Sequence, residues 1–177
     1  MSHFAAMVVR HAGRWTGSDV DLSDVEDIED VTDLIRDDVS DETDPALLFV
    51  EENDEWFSIV RIDSLGDTKV FISDARAVVT SELAAVLFQD QIPTDELEDA
   101  DAELGDDDEE VVSAADEAEA SLKPGAEPAG STDILVDLGV GASQLLELCA
   151  EEGMLPADVI SSVCELIGCA EAIEVYR

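Results

Sequence analysis

Apolar residues fall in short continuous blocks over the first half of the chain and at helical spacing between and after them. "HFAAMVV" and "RWTGSDVDL" read as two strands around His11-Ala12-Gly13, with Gly13 suited to a hairpin turn. "SDVEDIEDVTDLIRDDV" repeats Val25, Ile28, Val31, Thr32, Ile35 and Val39 at helical intervals, and Ser23 and Glu26 have capping-box spacing at its start. "ALLFVEENDEWFSIVRID" is a second hairpin turning at Asn53-Asp54, residue types that tolerate left-handed backbone. "KVFIS" adds a strand after Gly66. Ser73 or Asp74 can then cap one helix over "DARAVVTSELAAVLFQ". The order β-β-α-β-β-β-α predicts an α+β domain over 1–92, an antiparallel sheet of about five strands with both helices on one face.

Two further segments follow. Residues 93–130 hold almost no large apolar residue and read as an extended, disordered acidic linker. Residues 131–177 are helical by pattern: "ASQLLELCAEEG" closing at Gly153, "LPADVISSVCELIG" with Pro156 in its first turn and Gly168 at its end, and "CAEAIEVYR" as a last turn or short strand. So small a helical piece is marginal alone and is expected to dock on the first domain.

Charge changes the picture most. The chain carries 46 acids against 8 bases, a formal net charge of −38. Such a surface repels nucleic acid phosphates and anionic lipid and attracts basic partners, so direct nucleic acid or membrane binding is not expected. Residues 93–130 alone hold 15 acids and one base. The same composition has a second reading, solubility in a salty cytoplasm. The start of the chain has neither a basic n-region nor a long apolar h-region, and three cysteines confined to its end suggest reduced thiols; both favour a cytoplasmic protein.

Candidate chemistry is thin. "VDLGVGASQLLELC" resembles a phosphate-binding turn, but Gln144 stands where a dinucleotide fingerprint needs its third glycine. Gly139 and Gly141 are therefore expected to punctuate two helical segments. Asp99, Asp101, Glu103, Asp107 and Glu110 match an EF-hand register, yet Leu104 occupies the glycine position, so no metal site is assigned. Cys149, Cys164 and Cys169 read as buried thiols, and no nucleophile motif accompanies His3 or His11. No catalytic residue and no cofactor is assigned, and the chain is not expected to be an enzyme. Trp56 and Phe57 are adjacent in a strand, so they face opposite sides. One belongs to the core; the other is covered by the C-terminal helices or serves as a partner anchor.

Three stretches carry a resemblance: "FAAMVVRHAGRWTGSDVDLSDVEDIEDVTDLIRD", "LLFVEENDEWFSIVRID" and "LLELCAEEGMLPADVISSVCELIG". Together they resemble the actinobacterial tRNA adenosine deaminase-associated proteins. The resemblance implies a companion of the deaminase rather than the deaminase, since the H-x-E and P-C-x-x-C elements of a zinc deaminase are missing. It brings no catalytic residues with it. The expected function is that of a non-enzymatic accessory protein, occupying the basic tRNA-binding surface of a deaminase or binding another basic protein. Asp27, Asp30, Asp33 and Asp37 on the acidic helix face, with Trp56 and Phe57, are the expected contacts. The alternative is a structural or stress-related cytosolic protein whose acidity only serves solubility.

Overall fold

The computed structural model describes residues 3–23, 25–38, 43–63, 67–88, 126–151 and 153–176. Strands β1 (His3–His11) and β2 (Arg14–Asp19) form the first hairpin, with Ala12 and Gly13 both at positive φ in its two-residue turn. Strands β3 (Thr43–Glu52) and β4 (Trp56–Ile62) form the second. There Asn53 and Asp54 both sit at positive φ, and the Glu55 amide donates to the Glu52 carbonyl at 2.9 Å. Both turns put two residues in left-handed backbone conformation, which gives a turn whose twist matches the right-handed twist of paired strands. Strand β5 (Thr68–Ile72) and the two-residue β6 (Ala129–Gly130) complete an antiparallel sheet in the order β2-β1-β3-β4-β5-β6.

The sixth strand comes from the segment read as linker. Its sequence signal is absent because two small residues suffice: Gly130 lies so close to β5 that a Cβ would stand 2.4 Å from the Val70 carbonyl oxygen. Residues 93–125 lie outside the described residues, so the linker reading there is not addressed.

Both faces of the sheet are covered. Met7, Leu48, Val50, Val60 and Ile72 pack beneath α1 (Ile28–Asp38), α2 (Ala77–Thr80) and α3 (Glu82–Phe88). Val8, Leu47, Phe49, Ile59 and Phe71 pack beneath α4 (Ala142–Ala150), α5 (Pro156–Ile167) and α6 (Ala170–Ile173). The C-terminal helices are thus the third layer of one α/β/α sandwich.

Several details differ from the sequence expectation. The single helix over 74–89 is two helices, broken at Ser81, whose backbone is extended. Ser81 Oγ accepts from the Ala84 amide at 3.2 Å, which starts α3 afresh. α1 begins at Ile28 rather than just after Ser23, because Asp27 is its cap. α4 ends at Ala150, short of Gly153, whereas α5 closes at Gly168 in the left-handed conformation. Gly139 ends a 3-10 turn (Val136–Leu138) and Gly141 precedes α4, so the glycine pair punctuates as expected. Cys149, Cys164 and Cys169 are buried thiols outside any disulfide, and burial pushes the Cys149 thiol up to about 12.

Polar clamps fix the C-terminal layer. Arg61 on β4 is only 8% exposed. It donates to the Ile134 carbonyl at 2.8 Å and to Asp63 at 2.9 Å, and makes a two-pronged pair with Asp137. At the other edge, Trp15 Nε1 donates to the Ile167 carbonyl at 3.2 Å and the Tyr176 hydroxyl to the Gly17 carbonyl at 2.8 Å. The hydrogen bond from Arg61 holds the Asp137 carboxyl below its ordinary value of 3.8. A depressed folded-state pKa stabilises above the unfolded value and is lost as pH falls through the folded one. Asp137→Asn is therefore expected to cost about 1 kcal/mol, a reduced figure because the carboxylate is largely exposed. In paired urea titrations, that gap should be constant above pH 3.8 and close below it.

Candidate interaction surface

α1 turns Val31 and Ile35 into the core, and spacing of 3.6 residues per turn puts the acids between them on the outside. Glu26, Asp27, Glu29, Asp30 and Asp33 are all exposed, five carboxylates within eight positions. Asp27 and Asp30 also serve the helix itself. Asp27 Oδ1 accepts from the Glu29 and Asp30 amides at 2.9 and 3.0 Å. Asp30 Oδ2 accepts from the Glu26 amide at 2.9 Å. These carboxylates satisfy amides that a helix start leaves unpaired, and their charge suits the positive end of the helix dipole. The spacing Asp27-x-x-Asp30 is the sequence signal for this cap, and it competes with the equally spaced Ser23 and Glu26. Asp37 belongs to α1, but its side chain is outside the described set.

Leu34 interrupts the acidic surface, 46% exposed on the outer side of α1. It is the exposed large apolar residue of that helix among the described residues.

Trp56 and Phe57 do face opposite sides, and neither side is open. Trp56 is 2% exposed beneath the α1–α3 layer, edge-on to Phe88 with ring centres 6.2 Å apart. Its Nε1 donates to Glu52 Oε2 at 3.1 Å, which also accepts from the Ser81 hydroxyl at 2.6 Å. Phe57 is fully buried beneath the C-terminal layer, tilted against Phe71 at 6.1 Å. The covering helices supersede the partner-anchor expectation for this pair: no aromatic face remains for a partner to touch. Glu52 is the polar residue that sequence reasoning missed. A lone acid at a strand end carries no mark of burial; the Ser81-Glu82 pair, a helix-start signal inside a helical run, was the available clue.

The carboxylates of α1 and its cap thus stay on the surface while Trp56 and Phe57 go inside, so a partner approaching this layer meets charge first. Among the described residues no group of three or more potential ligands is placed to hold a metal ion, and no helix is long and apolar enough to cross a membrane.

No curated protein and no solved structure matched the chain. A family model described as Rv3753c-like tRNA adenosine deaminase-associated protein matches residues 3–170. That span takes in the whole sheet and helices α1 to α5, ending at the first residue of α6, and the chain belongs to this family of tRNA adenosine deaminase-associated proteins.

Proposed function

We propose that this chain is a non-enzymatic, cytoplasmic accessory protein that binds a tRNA adenosine deaminase on the basic surface the enzyme offers to tRNA. The family description supports association with that enzyme. The observation that carries the mode of binding is the run of exposed carboxylates on α1, held on a packed layer within a chain of net charge −38. An enzyme that grips tRNA presents clustered Lys and Arg to phosphates. An acidic protein surface of this kind competes for the same groups, and charge steers the encounter.

The test is co-purification and affinity measurement with the deaminase of the same organism. Screening shrinks the Debye length from about 10 Å at 0.1 M salt to about 3 Å at 1 M. The expected result is a complex that weakens at least about tenfold across that range and is displaced by tRNA. A complex indifferent to salt and tRNA would overturn binding at the tRNA surface. No complex at any salt would overturn the partnership itself and leave acidity as a solubility device.

A further inference from the structure

A cleft of about 460 Å³ opens where the free ends of β1 and β2 meet the C-terminal layer. Its lining includes His3, Phe4, Asp19, Asp21, Glu51 and Tyr176. Strand register explains the grouping. Phe4 lies directly across from Glu51 on β3, and Ala6 directly across from Asp19 on β2. Phe4 and Ala6 share a sheet face, so Phe4, Glu51 and Asp19 all point toward the C-terminal helices. Directly opposed side chains stand about 5 Å apart, which sets a carboxylate beside the Phe4 ring.

The walls are fixed. Glu51 Oε1 accepts from the Asp54 amide at 2.7 Å, and Asp21 Oδ1 from the Ser23 amide at 2.9 Å. The Tyr176 hydroxyl is tied to the Gly17 carbonyl. The Ser23 hydroxyl and amide hold the Asp21 carboxyl below the ordinary carboxylate value. Its volume lies within the usual range for a bound group, about 300–1,000 Å³.

Resting on the reading that the partner is a basic protein, we infer that this cleft receives a basic side chain of that partner, arginine in preference to lysine. The guanidinium is planar, stacks on an aromatic ring, and meets carboxylates with paired N–H donors; the ammonium of lysine does neither of the last two in a fixed plane. Phe4 and Tyr176 supply rings, and Asp19, Asp21 and Glu51 supply acceptors.

Two measurements on the full chain test this. In the first, the isotope-labelled protein is titrated with N-acetyl-arginine amide, with N-acetyl-norleucine amide as control. The expected result is shifts concentrated at Phe4, Asp19, Asp21 and Tyr176, weaker with the lysine analogue and missing with norleucine. Shifts spread evenly over the acidic surface would overturn the cleft as a site. In the second, deaminase affinity is compared for D19N/D21N/E51Q and for E26Q/E29Q/D33N, which removes equal charge from α1 and the turn before it. Amides still accept the backbone hydrogen bonds, so the walls keep their shape. Both variants are expected to weaken binding, the α1 variant by about threefold through lost charge steering and the cleft variant by at least about tenfold through loss of the seated side chain. Equal weakening would overturn the cleft and leave the acidic-partner reading standing. Absence of any deaminase complex would overturn that reading, and the arginine titration would still decide the cleft.

Discussion

Phe57→Ala is expected to lower the free energy of unfolding by about 3–5 kcal/mol, the usual cost of deleting a buried phenyl ring. Phe57 is fully buried on β4 and leans on Phe71 of the neighbouring strand, under the C-terminal helices. Loss of the ring removes its transfer free energy and leaves a hole between two rigid layers that cannot close over it. Urea unfolding followed by circular dichroism measures the loss directly. The substitution also separates two roles. At a temperature where the variant remains folded, deaminase affinity is expected to match that of the unaltered protein, because no part of the ring reaches the surface. A stability change below about 1 kcal/mol would mean that the C-terminal layer does not seal β4. A loss of affinity without loss of stability would return Phe57 to the interface.

The burial of both Trp56 and Phe57 was legible in principle. The strand "WFSIVRI" has no polar alternation apart from Ser58 and Arg61, and all seven residues are buried. Such runs belong to strands covered on both faces. The sheet, its hairpins and the two-sided packing follow from patterns of this kind, repeated in "FAAMVV" and "ALLFV". Features set by single hydrogen bonds were harder to read. The cap at Asp27 competes with Ser23, one plausible residue against another, and only the chain path decides between them. At the break, the Ser81 hydroxyl donates to Glu52, which is far off in sequence. Strand β6 depends on Gly130 fitting against Val70, a matter of close approach that no propensity encodes. The cleft is the extreme case. Phe4, Asp19, Asp21, Glu51 and Tyr176 come from three strands, the loop after β2 and the turn after α6, and in an acid-rich chain no single carboxylate stands out from the rest.

Gly17→Ala is expected to destabilise the protein by about 2–3 kcal/mol, a large effect for one added methyl group. A glycine inside a strand contributes no packing, so its presence in "RWTGSD" marks a place where another backbone comes close. Here that backbone belongs to α6. A Cβ at Gly17 would stand 2.0 Å from the Ala172 carbonyl oxygen and 3.1 Å from the Tyr176 ring. Main-chain atoms cannot swing aside as a flexible side chain can, so α6 must move away from β2. That movement strains the Tyr176–Gly17 hydrogen bond and weakens the Trp15 contact with the end of α5. Tyr176 is the chain's single tyrosine, so its ring resonances report the shift without ambiguity. It also lines the cleft, which couples this packing contact to the proposed site. Displacing it should weaken the arginine-amide shifts while the acids on α1, in the opposite layer, keep their positions. An alanine variant as stable as the unaltered protein, with Tyr176 unmoved, would show that α6 does not rest on β2 and that the cleft lacks a fixed aromatic wall.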